Sequence, residues 1–180
     1  RLNYTYDNKY LLQATLRRDA SSKFGKNKRW GTFPSIALGW KLSEEEFFPK
    51  DIALNNLKIR GSFGRLGNEN ALGYYDFLPS IVTGNNLWYG YVQGSGYNPW
   101  PGSIATLLSN DDLMWETTNS INVGIDYGMF KNKLTGSLNY FQKNTSDMLI
   151  PRVPAPSSGY DSQTMNVGEI ENSGIEFEIN

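Results

Sequence analysis

The sequence predicts an all-β protein, an antiparallel up-and-down sheet of about seven strands. Several stretches alternate between apolar and polar residues, which is the period of a strand with two different faces. The composition, with 14% aromatic residues and 18 glycines in 180 residues, favours turn-rich β-structure. Alternation alone fits two architectures: a soluble β-sandwich with an apolar core, or a segment of a transmembrane β-barrel with lipid on its apolar side.

Alternating residues mark the strands one after another. Residues 2–6 and 10–17 form a hairpin around the turn "DNK". Further strands are predicted at 35–42, 57–64, 121–127, 134–141 and 175–179. One face of this sheet carries aliphatic residues, including Leu38, Ile59, Val123 and Leu138, and the other carries small polar or charged residues.

The connection after the third strand is open to two interpretations. Ser43 and Glu46 have the spacing of a capping box, which predicts a short helical turn before Pro49. An ordinary acidic linker explains the same residues equally well.

The connections differ in length in a regular way. A long loop is predicted at about 66–115 because no sustained period exists there, and a Pro-rich loop follows at 151–165. Between them lies a short turn at 128–133. In a meander, alternate connections lie at the same end, so the long loops gather at one end and the short turns at the other. Outer-membrane barrels have this asymmetry, with the long loops extracellular.

Aromatic residues mark the strand ends at the short turns. Tyr10, Trp40, Tyr127 and Phe130 all occupy such positions, while Leu, Ile, Val and Ala fill the apolar face between the ends. This arrangement is typical of an aromatic girdle at a membrane interface and favours the barrel over the sandwich.

Charge and residue types exclude several functions. The formal net charge is -1, from 17 Lys and Arg against 18 Asp and Glu, so nucleic acid is not an expected partner. The chain has no Cys and no His, which excludes disulfides, cysteine nucleophiles and Ser-His-Asp catalysis within it.

Four blocks of the sequence resemble one family. They are "YLLQATLRRDASSKFGKNKRWGTFPSIALGWKLSEEEF", "LNNLKIRGSFGRLGNEN", "DLMWETTNSINVGIDYGMFKNKLTGSLNYFQKNTSDMLI" and "NVGEIENSGIEFEIN". Together they resemble the TonB-dependent transporters of the SusC/RagA type, in the C-terminal half of the barrel. Residues from about 71 to 107 resemble nothing specific.

The resemblance implies a plugged barrel of about 22 strands in the outer membrane of a Gram-negative, Bacteroides-like bacterium. It implies import of a glycan, oligosaccharide or oligopeptide, a lid lipoprotein of the SusD type, and energy from TonB-ExbB-ExbD acting on an N-terminal part. The remaining strands, the plug and membrane lipid or lipopolysaccharide would be further partners. Residues 1–180 would then be an internal part of the barrel domain with no plug. The alternative is a soluble, aromatic-rich β-sandwich module that binds carbohydrate.

The polar face provides candidate ligand-binding residues. By strand parity they are Arg17, Lys58, Arg60, Asn122 and Asp126, which would line a barrel lumen. The same residues are also explained as structural ion pairs between neighbouring strands, or between barrel and plug.

The long loop provides a second set of candidates. Its aromatic residues Trp88, Tyr89, Tyr91, Tyr97 and Trp100 suit contacts with a ligand or a partner protein. They are equally explained as a small core within the loop.

The motif "LMWETT" closes the long loop. For Trp115 we predict an anchor at the loop base, with Glu116 accepting hydrogen bonds from backbone or Arg donors. A hinge or contact site at the barrel rim is the functional alternative.

Nothing in the sequence predicts catalysis or a cofactor. Asp111, Asp112 and Glu116 are carboxylates near one another in sequence, but no feature marks a desolvated acid for glycoside hydrolysis. Asn110 with Asp111 and Asp112 is a weak candidate for a structural Ca²⁺ in the loop, because the Gly and Glu spacing of an EF-hand is missing.

Overall fold

The computed structural model describes residues 1–49, 52–83, 90–91 and 100–180. Its strands in chain order are β1 (Leu2–Tyr6), β2 (Tyr10–Ala20), β3 (Trp30–Lys41), β4 (Leu54–Asn68), β5 (Ser80–Thr83), β6 (Gly90–Tyr91), β7 (Trp100–Pro101), β8 (Ser103–Leu107), β9 (Glu116–Met129), β10 (Leu134–Ser146), β11 (Leu149–Arg152), β12 (Gln163–Asn166) and β13 (Glu169–Ile179). Two short 3₁₀-helices lie at Leu42–Glu44 and Pro156–Ser158. No helix in these residues is long and apolar enough to cross a membrane.

Seven strands form one antiparallel sheet in the order β1-β2-β3-β4-β9-β10-β13. Along the chain, each strand of this sheet pairs with the next strand that belongs to the same sheet, so the sheet is a meander. The predicted fold class is confirmed. Among the described residues, the other strands form only two-stranded pairs, β5 with β8, β6 with β7, and β11 with β12. A β-sandwich would need a second large sheet against the first, and the described residues contain none.

The register separates two faces. Leu12 lies opposite Leu38, and Ile125 lies opposite both Ile59 and Leu138. The apolar face consists of Leu2, Tyr4, Tyr6, Tyr10, Leu12, Ala14, Leu16, Pro34, Ile36, Leu38, Trp40, Leu57, Ile59, Gly61, Phe63, Ile121, Val123, Ile125, Tyr127, Gly136, Leu138, Tyr140, Ile175, Phe177 and Ile179. Most of its large side chains are exposed, so this face packs on nothing within the described chain.

The strands run further than the alternation indicates. The strand predicted at 121–127 is the middle of β9, and the strand predicted at 175–179 is the end of β13. Their extensions carry polar residues such as Thr117 and Thr118, which bond across the ladder to Ser146 and Thr145. Paired backbone keeps these residues in strands where no apolar period is present.

The Pro-rich loop predicted at 151–165 is shorter than expected, because strands occupy both of its ends. Strands β11 and β12 form a small hairpin there, and Pro151 and Arg152 are paired with Thr164 and Gln163. Pro is tolerated because β11 is an edge strand. The longer loop predicted at 66–115 likewise contains paired strands, of which β5 and β8 are the longest.

The connections divide between two ends of the sheet. Residues 7–9, the described parts of the connection 42–53, and residues 130–133 lie at one end, called here the turn end. Residues 21–29, the described parts of the connection 69–115, and residues 147–168 lie at the other, called here the loop end. The first turn closes with Lys9 N donating to Tyr6 O at 3.0 Å. Asp7 and Asn8 have φ of 48° and 52°, a left-handed conformation that Asp and Asn tolerate better than other non-glycine residues.

The predicted capping box is not formed. Ser43 lies inside the 3₁₀-helix Leu42–Glu44, whose N-cap is Lys41, and no side chain caps it. The helical turn itself exists but is a single turn. The Ser43 hydroxyl instead lies 3.5 Å from Asn56 Oδ1 on β4.

Apart from Phe33 on β3, the buried large apolar side chains of the described residues lie at the loop end. Phe24, Leu72, Leu113 and Leu149 are at most 6% exposed and pack together, with Phe77 and Trp115 against them. These residues come from all three connections at this end. The connections are therefore joined by one hydrophobic cluster, called here the loop core.

Candidate functional site

A charged network lies on the polar face near the middle of the sheet. Arg60 Nε on β4 donates to Asp126 Oδ1 on β9 at 3.0 Å, and Lys58 Nζ lies 3.9 Å from the other oxygen of the same carboxylate. Arg60 Nη2 also donates to Asn139 Oδ1 on β10. All three charged side chains are about one third exposed, between 33% and 38%, so the network remains within reach of water and of a ligand.

Gly124 makes room for this network. It lies between Arg60 and Asn139 in the ladder, and a Cβ atom there would come within 3.2 Å of the Arg60 Cζ atom. With glycine at this position, the Arg60 guanidinium extends across β9 and reaches Asn139 on β10. Asn139 was not among the sequence candidates, although its parity and the glycine beside it are signals that could have found it.

Two concavities lie on either side of the network. One has a volume of about 380 Å³ and includes Gln13, Ser62 and Asn122. The other, towards the turn end, has about 720 Å³ and includes Asp126 and Ser137. Lys58 and Arg60 line both, and they present cationic and hydrogen-bonding groups to each space.

The structure brings together four of the five candidates on the polar face. Lys58, Arg60 and Asp126 are in contact, and Asn122 lines the first concavity, where its amide lies 3.5 Å from Ser62 Oγ. Arg17 is separate. It is opposite Phe33, six residues along β3 from the partner of Arg60, which is roughly 20 Å of strand. There Arg17 pairs with Asp19 at 2.7 Å.

Trp115 lies where the long connection meets the sheet. Its indole Nε1 donates to Arg29 O at 3.1 Å, and its ring packs against Phe24 and Phe33 with centroids 5.0 and 5.4 Å apart. These contacts join the connection 69–115 to the connection 21–29, as an anchoring role would require.

Glu116 and Asn166 link the connection 69–115 to the third connection at this end, 147–168. Glu116 accepts hydrogen bonds from Asn68 Nδ2 at 3.0 Å and from Leu149 N at 3.3 Å. Asn166 donates to Met114 O and accepts from Met114 N, at 2.8 and 2.9 Å. The connections 69–115 and 147–168 are therefore held by polar bonds as well as by the loop core.

The acidic residues before this anchor do not form a catalytic pair. Asp111 and Asp112 are exposed in a turn, while Glu116 already accepts two hydrogen bonds. The Asn110 side chain is also engaged, donating to Thr164 O at 3.0 Å and accepting from Asp112 N at 3.1 Å. In the described residues, no group of three or more acidic side chains is arranged to hold a metal ion.

Most of the aromatic residues of the long loop lie outside the residues that the structure describes. Trp88, Tyr89 and Tyr97 lie outside the described residues, and Tyr91 and Trp100 are described as paired backbone in β6 and β7. Their role as ligand or partner contacts stays a prediction.

Comparison with known protein families shows to which family this chain belongs. A family model described as TonB dependent receptor-like, beta-barrel, matches residues 1–180. The chain belongs to this family. The sheet described above is thus part of the barrel domain of a TonB-dependent receptor, and the resemblance to the SusC/RagA type is confirmed by the relatives.

Relatives of this TonB-dependent receptor match along the whole chain. TonB-dependent receptor SusC of Bacteroides thetaiotaomicron is 39% identical over 181 residues, which are 100% of this chain and 18% of that protein. TonB-dependent receptor P39 of Formosa agariphila is 41% identical over 180 residues, 99% of this chain and 16% of that protein. The structure of the RagAB peptide importer in the 'closed-closed' state superposes with a TM-score of 0.84 at 28% identity, over 98% of this chain and 18% of that one. The chain spans less than a fifth of these proteins.

At the turn end of this receptor segment, the predicted aromatic residues are held by a carboxylate. The Tyr10 and Trp40 rings stack with centroids 6.2 Å apart. Glu45, in the connection 42–53, accepts hydrogen bonds from the Tyr10 hydroxyl at 2.7 Å and from Trp40 Nε1 at 2.8 Å. Lys9 Nζ lies 3.5 Å from the same carboxylate. Sequence reasoning missed Glu45, because no spacing rule links it to these rings.

The Glu45 cluster predicts an effect of pH. Two hydrogen bonds lower the pKa of the Glu45 carboxyl below its ordinary value, and the one from Tyr10 has a larger effect than the one from Trp40. A lowered pKa in the folded state means that the ionised carboxylate stabilises the cluster above the ordinary Glu range, about pH 4.3, and that this stabilisation is lost as the pH falls further. We expect the Trp40 fluorescence of the full-length protein to change during this acidification.

Two variants check this prediction. Glu45→Gln has no titrating carboxyl, so the change should disappear. Trp40→Phe should lose the same spectral component. An unchanged acid transition in Glu45→Gln would contradict the assignment.

Proposed function

We propose that the full-length protein is a TonB-dependent transporter that imports a nutrient across the outer membrane of a Gram-negative, Bacteroides-like bacterium. The observation that carries this proposal is the match of residues 1–180 to the receptor β-barrel family. The complete protein would be a plugged barrel of about 22 strands, to which the seven-stranded sheet contributes about a third. Its action would be binding and translocation, without covalent chemistry.

The spacing of two tryptophans on β3 supports a membrane-spanning role. Trp30 and Trp40 lie on the apolar face at opposite ends of the strand, ten residues apart. Ten residues rise roughly 33 Å, and the usual tilt of about 40° reduces this to roughly 25 Å of height, the thickness of the apolar band of an outer-membrane barrel. Trp30 would thus belong to the girdle at the loop end, and Trp40 to the one at the turn end.

The polar face supports a ligand-binding role for the lumen. The concavities beside Lys58 and Arg60 offer cationic and amide donors together with the acceptor Asp126, groups that suit an oligopeptide or a glycan. We propose that Lys58, Arg60, Asn122 and Asp126 face the substrate path or the plug. Arg17 would act nearer the loop end, where it also lies 5.7 Å from the Phe33 ring.

The loop end supports the partner proposal. If the long connections are extracellular, the loop core holds them as one platform on which a SusD-type lid lipoprotein would sit. Energy would come from TonB-ExbB-ExbD through the N-terminal part of the full-length protein.

Growth on single nutrients tests the proposed function. A strain lacking the gene should fail to grow on one class of glycan, oligosaccharide or oligopeptide, and the full-length gene should restore growth only in cells with active TonB. A tagged full-length protein should also copurify a lipoprotein encoded beside it. Uptake that continues without TonB, or growth unaffected on every nutrient of the panel, would contradict the proposal.

A further inference from the structure

The apolar face carries two arginines at the loop end. Arg18 follows Leu16 on the same face of β2, and Arg65 follows Phe63 on the same face of β4. Both side chains are exposed. Strand β3 lies between their strands. Arg18 is opposite Thr32 on β3, and Arg65 is one residue beyond Gly64, the last residue of β4 paired with β3, so the two arginines flank β3 at nearby but not identical levels.

If the apolar face contacts lipid, the position of these two arginines indicates the depth of this end of the sheet in the membrane. An arginine on the lipid side of a barrel strand is strongly destabilising at the bilayer midplane and nearly neutral at the interface. Arg18 also lies beside Trp30, with its Cζ atom 4.8 Å from the ring centroid. Two arginines and a tryptophan at the same end of three neighbouring strands therefore place this end at the level of the lipid headgroups.

A cleft opens between β3 and β4 at this level. The pairing of these strands ends at Ser35 and Gly64, although β3 continues to Trp30 and β4 to Asn68. The space left by the diverging strands forms a concavity of about 330 Å³. Lys28, Trp30, Thr32 and Arg65 are among the residues that line it, and Asp147 is the acidic one.

The cations around this cleft have no acidic partners in the described part of the chain. Arg18, Lys28 and Arg65 take part in no ion pair with a described carboxylate, whereas Arg17, one residue from Arg18, is paired with Asp19. The acids Glu169 and Glu171 of the apolar face lie further away on β13, where they accept hydrogen bonds from Asn144 and Gln142 of β10. Lys28 and Arg65 line the cleft together with Asp147, and Arg18 lies outside the lining, over the ring of Trp30. The cleft and its edge therefore carry an excess of positive charge.

We propose that this cleft binds the anionic phosphate of a membrane lipid headgroup in the leaflet at the loop end. Arg18 and Arg65 hold the phosphate from both sides of β3, Lys28 reaches it from the connection above, and the acyl chains lie along Leu16, Ile36 and Phe63. The proposal rests on the membrane orientation given under the proposed function, and it gives lipid, predicted from sequence only as a general partner, a site on this chain.

Lipid binding by the purified full-length protein tests the proposal. The protein in detergent is titrated with phosphatidic acid and, separately, with phosphatidylcholine, and the bound lipid is counted by native mass spectrometry. Each of Arg18→Gln and Arg65→Gln should weaken phosphatidic acid binding roughly fivefold, and the double variant roughly thirtyfold, with phosphatidylcholine unaffected. Arg17→Gln is the matched control, because it removes the same charge from the opposite face of the same strand.

Further arms separate the alternatives. The charge-keeping pair Arg18→Lys and Arg65→Lys should bind phosphatidic acid within about threefold of the natural protein, which shows that loss in the double variant is not misfolding. Displacement of phosphatidic acid by inorganic phosphate in excess would assign the site to free phosphate and overturn the lipid proposal. Equal losses in Arg17→Gln and the double variant, or no loss in either, would also overturn it. Growth assays are independent of this measurement, so failure here leaves the import proposal standing.

Discussion

Replacing Phe24 with alanine should loosen all three connections at the loop end together. Phe24 is fully buried and packs against Trp115, in a cluster shared with Leu113 and Leu149. Truncating a buried Phe to Ala costs about 3–5 kcal/mol. In hydrogen exchange of the full-length protein, we expect the Leu113 and Leu149 amides to exchange roughly a hundredfold faster or more, because their protection reports local opening.

The same substitution at an exposed phenylalanine gives the control. Phe47, in the connection 42–53 at the turn end, is 68% exposed, and Phe47→Ala should leave exchange at Leu113 and Leu149 unchanged. If Phe24→Ala accelerates exchange only within 21–29, the three connections are not one unit and the loop-core account is wrong.

An arginine in the middle of the apolar face should impair assembly into a membrane. Ile36 lies four residues from Trp40 and six from Trp30, near the centre of the apolar band between these two tryptophans. Arginine at the midplane on the lipid side of a barrel costs about 2–4 kcal/mol. Ile36→Arg should therefore lower the unfolding free energy of the full-length protein in lipid vesicles by this amount, measured by denaturant titration.

The neighbouring residue provides a control with the opposite facing. Ser35 is on the polar face, next to Gly64, and Ser35→Arg places the same charge on the same strand towards the lumen. We expect its effect to stay within about 0.5 kcal/mol, as for substitutions that break no buried contact. Equal losses in the two variants would contradict the separation of faces.

The sheet could be predicted from sequence because its two-residue period and its turns agree. Leu38, Ile59, Val123 and Leu138 fall on one face by counting alone, and the register confirms it. The turn at Asp7 and Asn8 fixes the pairing of the first hairpin through its left-handed residues. Alternate connections of a meander lie at the same end, which is why the two longest connections, after β4 and after β10, share the loop end.

The loop end could not be predicted in the same way. Phe24, Leu72 and Leu149 belong to three connections far apart in sequence, and no local sequence pattern predicts that these side chains pack together. The hairpin of β11 and β12 was missed because Pro151 and Pro154 mark a loop, although backbone pairing with 163–166 tolerates Pro151 at an edge. On the polar face, the contact of Arg60 with Asn139 depends on the absence of a side chain at Gly124, which alternation does not reveal.

The central claim is that the apolar face of the sheet meets lipid and the polar face meets water, and spin-label accessibility measures this most directly. Single Cys variants of the full-length protein, made in a background without other cysteines, are labelled at Leu38, Ile59, Val123 and Leu138, and at Arg60 and Asn122. In lipid vesicles, labels at the first four positions should respond to a lipid-soluble relaxing agent, and labels at the last two to a water-soluble one. Reversed responses, or equal responses at all six positions, would contradict the account.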